Sequence, residues 1–187
     1  MHDSDRAVLR ELARQLADQA ARPVQQERID LWKAYNALKP VRPLVLCFPE
    51  GGWRDLVLDS HLRCQSELAR SYERELRRRL FQATEIDDDM PVSADWGVPV
   101  CVERGDLGMR ETRYGGQWGG EGAWHWEPPL KNPADVKKLH TRSVAVDWGE
   151  TRRRQSEAEE LFGDILNIEI VSWAPAGQFA STALATT

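Results

Sequence analysis

Cysteine is scarce in this chain, and its spacing excludes two classes of small protein. The three cysteines, Cys47, Cys64 and Cys101, are an odd number at wide spacing, and none belongs to a C-x-x-C pair. Disulfide-stapled domains and cysteine-rich zinc modules both need clustered cysteines. We therefore expect neither a disulfide framework nor a cysteine-rich zinc site.

The chain also lacks long apolar runs and an excess of positive charge. It contains no run of about 18 apolar residues, and its first residues have no basic start followed by an apolar stretch. The formal net charge of −5 gives no broad positive field for nucleic acid phosphates. The arginine triplets 77–79 and 152–154 lie in helical patterns that also carry glutamate, which indicates solvated helix faces. We expect a soluble, cytoplasmic protein that binds neither nucleic acid nor a membrane.

Several motifs of common enzymes are missing as well. The sequence has no P-loop, no G-x-G-x-x-G and no G-x-S-x-G. These motifs build phosphate cradles and nucleophile elbows, so neither nucleotide binding nor a serine triad is indicated. At 187 residues and 41% hydrophobic, the chain is nevertheless long and apolar enough to form a globular core.

The most unusual segment is residues 115–126, called here the Trp/Gly loop, which has five glycines and three tryptophans. Glycine permits close backbone approach, and indole offers a stacking face with one N–H donor. Trp118, Trp124 and Trp126 could stack on a planar ligand or a sugar. The alternative is packing against neighbouring helices or a second subunit. His125 has no second histidine nearby, so we expect no metal site there.

Helical periodicity dominates the first forty residues. Apolar residues recur at helical spacing from Ser4 to Ala20, and a second stripe of 3.6-residue period runs from Pro23 towards Pro40. Further helices are predicted over residues 65–82, from Asn132, and over 150–162.

Three regions have the pattern of strands. Residues 44–48 are apolar on both faces and lie between two prolines, which is typical of a buried parallel strand. Residues 98–103 and 109–114 predict two strands joined as a hairpin, and 165–171 predicts a last apolar strand. The order of helices and strands indicates an α/β protein with at least part of a parallel sheet. Two buried strands do not complete such a sheet, so we expect that part of the fold is missing.

Three segments, taken in order, resemble the N-terminal half of the uroporphyrinogen decarboxylase-like superfamily, whose members are single (β/α)8 barrels. The segment LKPVRPLVL at 38–46 resembles the entry into the family's first strand. DDDMPV at 87–92, followed by GVPV at 97–100, resembles the second strand with its aspartate, proline and glycine. NPADVKKL at 132–139 resembles a helix with the pattern aspartate-valine-x-x-leucine, and 165–171 would be the third strand.

The resemblance implies a fold and a domain organisation. The fold would be α/β, the N-terminal portion of a (β/α)8 TIM-type barrel with two leading helices and a β-hairpin. Residues 1–187 would form one partial domain, with N-terminal helices in 1–40, the first barrel strands and helices in 41–173, and an irregular tail in 174–187. We therefore expect an incomplete barrel from a truncated or split member of the superfamily.

Asp89 is the catalytic residue that the resemblance implies. The matching aspartate of the family faces the barrel mouth, hydrogen-bonds pyrrole N–H groups and stabilises developing positive charge. Active sites of such barrels lie at the carboxyl ends of the strands. The alternative is that the three aspartates 87–89 form a solvated turn, and which of the three points inward stays open.

Gly51, Gly52, Trp53 and Arg54 are the candidate substrate-binding residues, just after the first predicted strand. Arg54 could hold a carboxylate or phosphate, and the glycines would allow close approach; a simple tight turn is the alternative. Uroporphyrinogen decarboxylases place two arginines here to meet substrate carboxylates. Pro49 and Trp53 stand at those places in this chain, which favours a divergent branch.

Two functions follow from the resemblance, and one competes with both. The first is cofactor-free decarboxylation of a carboxylated tetrapyrrole. The second is methyl transfer linked to a corrinoid, with a zinc site whose ligands would belong to the half of the barrel that this chain lacks. The partners would be a small-molecule substrate, a second copy in a homodimer, or a complementing C-terminal half. The competing hypothesis is a non-catalytic binding or oligomerisation module that uses the Trp/Gly loop.

Overall fold

The structure is a computed structural model and describes residues 1–110, 112–115 and 123–172. These residues form helices α1 (Asp3–Ala20), α2 (Pro23–Asn36), α3 (Trp53–Leu56), α4 (Glu67–Thr84) and α5 (Trp148–Phe162). The strands are β1 (Asp95–Pro99), β2 (Val102–Arg104), β3 (Thr112–Gly115), β4 (Trp124–Glu127), β5 (Val144–Val146) and β6 (Asn167–Val171). Single 3₁₀ turns occur at Glu50–Gly52, Asp59–His61 and Pro133–Lys138. This mixture of helices and small sheets confirms the predicted α/β class.

The described chain divides into two compact units. The first unit contains residues 1–99 and 151–172, and the second contains residues 100–150. The buried apolar cluster belongs to the first unit.

The core of the first unit follows from the apolar stripes of two long helices. On α1 the buried residues recur every three or four positions, and α1 packs along α4 through them. Ser66 caps the start of α4, and its side chain accepts a hydrogen bond from the N–H of Ala69 at 3.3 Å. Proline at the first position of α2 likewise fixes its start.

A parallel pair of strands, β1 and β6, completes the first unit. Trp96 of β1 lies opposite Ile168 of β6, and Val98 lies opposite Ile170. Because side chains alternate along a strand, Trp96 and Val98 both face the core, and both are buried. Part of a parallel sheet is therefore present, as predicted.

The first predicted strand, residues 44–48, is wrong. This segment is described and forms no strand. Its main-chain N–H groups donate to carboxylates instead of to strand carbonyls: Val45 donates to Asp89 at 2.8 Å and Cys47 to Asp88 at 2.9 Å. The sequence showed an apolar run, but the acceptors lie more than forty residues away in the chain.

The predicted hairpin within 98–114 is also wrong in its pairing. Strand β2 pairs antiparallel with β5, and β3 pairs antiparallel with β4. Gly105, just after β2, donates its N–H to the carbonyl of Ser143 at 2.9 Å. A Cβ at Gly105 would lie 2.3 Å from Ser143 Oγ, so a larger residue there would require the Ser143 side chain to rotate. Among the strands that the structure describes, β3 and β4 form the hairpin, and they pair the two ends of the Trp/Gly loop.

The described residues build three separate two-stranded sheets and no closed barrel. The predicted irregular tail, 174–187, and Trp118 of the Trp/Gly loop lie outside the described residues. No helix in the described part of the chain is long and apolar enough to cross a membrane.

Candidate functional site

Asp89 holds the extended segment 41–48 in place through its carboxylate. Arg42 approaches it as a fork, with Nη1 2.7 Å from Oδ2 and Nη2 2.5 Å from Oδ1. The N–H of Val45 adds a third hydrogen bond to Oδ2 at 2.8 Å. The Asp89 side chain keeps 10% of its surface exposed, whereas Arg42 is largely exposed. Two-point Arg–carboxylate pairs fix orientation as well as distance.

The backbone around Asp89 is fixed from two further elements. Its N–H donates to the carbonyl of Val45 at 2.9 Å, so the two residues bond each other in both directions. The indole N–H of Trp32, on α2, donates to the Asp89 carbonyl at 2.8 Å. Arg28, one turn earlier on α2, donates to the carbonyl of Met90 at 3.3 Å. Asp89 is therefore held in a single orientation.

Asp89 is an anion at neutral pH. The hydrogen bonds from the Arg42 guanidinium, followed by the Val45 N–H, lower the pKa of Asp89 from 3.8 to about 2. A carboxyl group with such a pKa cannot donate a proton near neutrality. It can accept hydrogen bonds and stabilise positive charge.

The Asp89 carboxylate retains some capacity to accept a hydrogen bond. A carboxylate offers about four acceptor positions. Oδ2 accepts from Arg42 and Val45, and Oδ1 accepts from Arg42 alone. Within the described ranges, Oδ1 can thus take one more N–H donor.

The three adjacent aspartates have different environments. Asp88 is buried and accepts hydrogen bonds from the Cys47 N–H, from Gln82 of α4 at 2.8 Å and from the Met90 N–H at 3.1 Å. Asp87 is fully exposed and lies 3.9 Å from Arg28. Asp87 is the solvated member of the triplet, while Asp88 and Asp89 point inward.

The candidate loop at 50–54 begins as the 3₁₀ turn and continues into α3. The ring of Trp53 packs edge-to-face on Phe81 of α4, with 6.0 Å between centroids. Arg54 folds back, and its Nε donates to the Gly51 carbonyl at 3.3 Å. A Cβ on Gly51 or Gly52 would have no neighbour closer than 3.8 Å. The local backbone therefore does not require glycine at either position.

Asp89 and Arg54 make no direct contact. All hydrogen bonds of the Asp89 side chain go to Arg42 and Val45. The two candidate regions are nevertheless tied to one stretch of α4, since Phe81 holds Trp53 and its neighbour Gln82 holds Asp88.

Sequence reasoning missed Arg42, Trp32 and Gln82, the residues that position the acidic segment. Arg42 lies in the segment 38–46, which carries the family resemblance. An ion pair between this arginine and the predicted inward aspartate could therefore have been proposed from the sequence. Trp32 and Gln82 gave no signal, because each looks like an ordinary residue of an amphipathic helix.

A zinc site does not fit the part of the chain that the structure describes. No three histidine, cysteine, aspartate or glutamate side chains in that part lie close enough together to hold a metal ion. His125 stacks on the ring of Tyr114 at 5.2 Å. Methyl transfer through a corrinoid and zinc accordingly remains a prediction for an intact form.

Comparison of the chain with protein-family models, with curated proteins and with solved structures gave no match. The resemblance to the uroporphyrinogen decarboxylase-like superfamily therefore stays a prediction, and so do Asp89, Arg54, Gly51, Gly52 and Trp53 as site residues.

Proposed function

We propose that this chain forms the N-terminal part of a uroporphyrinogen decarboxylase-like enzyme that acts on a carboxylated tetrapyrrole. The observation that carries the proposal is the fixed, ionised carboxylate of Asp89, whose Oδ1 can accept one further N–H donor. A pyrrole ring supplies such a donor. In the complete enzyme, further strands from a C-terminal half would extend the parallel pair β1–β6 into a barrel.

The role of Asp89 would be electrostatic. Protonation of a pyrrole ring puts positive charge on it, and an anion already oriented towards that charge stabilises the transition state without reorganising. The low pKa of Asp89 assigns the proton transfer itself to another group. Arg42 would act as a positioning residue, because it fixes both oxygens of the carboxylate.

The loop at 50–54 supplies groups that suit a binding role. The two glycines leave open space beside the loop. The backbone conformation would also accept a residue with a Cβ at either position. Arg54 carries a guanidinium group that matches the geometry of a substrate carboxylate. We propose that Trp53 and Arg54 contact a side chain of the tetrapyrrole, with Gly51 and Gly52 allowing it to approach.

Replacing Asp89 with asparagine tests the proposal. Titration with a carboxylated porphyrinogen, followed by calorimetry without oxygen, should show roughly tenfold weaker binding to Asp89→Asn, the value for one charged hydrogen bond. Asp87→Asn is the matched control, because it removes the same charge from the exposed neighbour. Its affinity should equal that of the wild type.

Three results would contradict the proposal. The wild-type chain could bind no porphyrinogen while fully folded, Asp89→Asn could bind it unchanged, or the two variants could lose affinity equally. Melting temperatures of both variants separate a loss of affinity from a loss of fold. Binding of a corrinoid in place of the porphyrinogen would transfer the proposal to the methyl-transfer branch.

A second candidate function is self-association through the hairpin β3–β4. Trp124 and Trp126 are two residues apart and so lie on the same face of the hairpin, where they are 47% and 50% exposed. Arg113 lies opposite Trp126, and its guanidinium is 4.7 Å from the ring of Trp124. Exposed indoles beside an arginine are typical of the centre of a protein interface.

For this second candidate, the double variant Trp124→Ala, Trp126→Ala should convert a homodimer to a monomer. Size-exclusion chromatography with light scattering over a concentration series measures the change. Trp148→Ala is the control, since Trp148 is 52% exposed but lies outside the hairpin. A wild-type chain that is monomeric at every concentration excludes this candidate, as does a double variant that dimerises like the wild type.

A further inference from the structure

Arg78 on α4 is an arginine without an acceptor. Within the described residues, its side chain makes no hydrogen bond and no ion pair shorter than 4.0 Å, and its buried Nε has no partner. The residue as a whole is partly exposed, and the terminal nitrogens keep access to solvent. The terminal nitrogens are therefore the donors that a ligand carrying acceptors could reach.

The other arginines of α4 do not share this property. Arg77 bonds the carboxylate of Glu73, and Arg79 bonds the carbonyls of Ser93 and Asp95. Arg70 and Arg74 likewise donate to carbonyl groups and to the carboxylate of residue 59. Arg78 thus differs from four other arginines of α4, each of which has an acceptor. On this helix the lack of an acceptor is specific to Arg78.

The guanidinium of Arg78 lies next to the candidate loop. Its Cζ is 5.8 Å from the centroid of the Trp53 ring, within range of a cation–π contact. Phe81 fixes the tilt of that ring. A positive group therefore lies over one side of a flat apolar ring, and the two together offer the charge and the apolar surface that a planar organic anion needs.

The acidic groups nearby leave the charge of Arg78 available. Glu75, one turn earlier, forms no ion pair with it; burial raises the pKa of Glu75, and the charges of Arg79 and Arg78 oppose that shift. Asp59 is already paired with Arg74 at 2.6 Å.

We propose that Arg78 and Trp53 form a binding site for a planar organic carboxylate. The carboxylate would accept from the terminal nitrogens of Arg78, and the aromatic part would lie against the ring of Trp53. The site stands on its own for a simple aromatic carboxylate; its extension to a tetrapyrrole carboxylate rests on the proposed function.

Calorimetric titration with naphthoate, and with naphthalene methanol as the uncharged analogue, tests the site. The wild-type chain should bind naphthoate more tightly than the alcohol. Arg78→Gln should weaken naphthoate binding about tenfold to a hundredfold, as expected when a charged hydrogen bond is lost. Arg78→Lys keeps the positive charge but loses the forked guanidinium. Its affinity for naphthoate should therefore lie between those of the wild type and Arg78→Gln. Arg14→Gln, a charge-matched change on the exposed face of α1, should have no effect.

The melting temperature gives a readout that a structural role would move. Since Arg78 bonds no acceptor and the substitution removes only its contact with the Trp53 ring, Arg78→Gln should melt close to the wild-type temperature. Equal naphthoate affinity in Arg78→Gln and wild type overturns the inference, and so does equal loss in Arg14→Gln. If naphthoate binds through Arg78 while a carboxylated porphyrinogen does not bind, the site stands and the proposed function fails. If porphyrinogen binding needs Asp89 but not Arg78, the function stands and this inference fails.

Discussion

The variant Glu73→Ala is expected to lose about 3–5 kcal/mol of unfolding free energy, the usual cost of removing one partner from a buried ionic network. Glu73 on α4 has no solvent exposure. Its carboxylate accepts from the N–H of Arg63 at 2.8 and 3.0 Å, from the N–H of Cys64 at 2.8 Å and from the side chain of Arg77 at 2.8 Å. Alanine would leave the buried N–H of Cys64 and the part-buried N–H of Arg63 without their acceptor.

The pKa of Glu73 is consistent with this role. Burial raises that pKa, but the N–H groups of Cys64 and Arg63, together with Arg77, outweigh burial and lower it. The carboxylate of Asp5 on α1 likewise accepts hydrogen bonds from the N–H groups of residues 65 and 66. Two inward carboxylates therefore hold the segment that leads into α4.

Urea unfolding followed by circular dichroism measures the effect of Glu73→Ala. Glu73→Gln keeps a carbonyl acceptor and should lose less than the alanine variant. Glu11→Ala is the control, since Glu11 is exposed on α1 and accepts only from Gln15; we expect a change within about 0.5 kcal/mol. A loss below about 1 kcal/mol in Glu73→Ala would mean that its hydrogen bonds are made equally well with water.

The long helices could be predicted from the sequence because their signal is local. The third predicted helix, 65–82, is found at Glu67–Thr84, and the last, 150–162, at Trp148–Phe162. Apolar spacing sets the buried face, and capping residues set the ends, so boundaries within two residues are expected.

The strands could not be predicted as well, because their pairing is not local. Residues 44–48 have the composition of a buried strand, yet their N–H groups donate to side chains of residues 88 and 89. The predicted hairpin has the right kind of residues, but β2 finds its partner in β5, some forty residues later. A pattern of apolar residues indicates extended chain and leaves its partner open.

The candidate site was predicted as single residues and not as an arrangement. Asp89 was predicted as a site residue, but its partner Arg42 is 47 positions earlier in the chain. At that separation the sequence spacing does not indicate which residues are in contact. The triplet 77–79 looked like one solvated helix face. In the structure Arg77 and Arg79 have acceptors and Arg78 has none, because consecutive helical residues point about 100° apart.

Phe162 is the residue whose truncation should disturb the core of the first unit most. It has no solvent exposure and ends α5. Its ring centroid lies 4.9 Å from that of Trp96 on β1 and 6.3 Å from that of Tyr72 on α4. The Phe162 carbonyl also accepts from the N–H of Leu166 at 2.8 Å, in the turn that leads into β6. The side chain of Phe162 therefore contacts both α4 and β1.

We expect Phe162→Ala to cost about 3–5 kcal/mol, the range for removing a buried phenylalanine and leaving a cavity. The loss of the ring pair with Trp96 adds to this cost, because aromatic pairs contribute beyond their buried area. Phe162→Leu fills most of the space and should cost clearly less. Leu68→Ala, at a half-exposed site on α4, should change stability little.

The same urea titration, with tryptophan fluorescence as a second probe, decides the outcome for Phe162. Because Trp96 lies against the ring of Phe162, the tryptophan fluorescence of Phe162→Ala should differ from that of the wild type even while the variant is folded. A cost below about 1.5 kcal/mol, or a cost equal to that of Leu68→Ala, would show that Phe162 is not part of a close-packed core. The position matters for the proposed site as well. Because β1 begins at Asp95, shortly after the acidic segment 87–90, loosening its packing should also weaken porphyrinogen binding in Phe162→Ala.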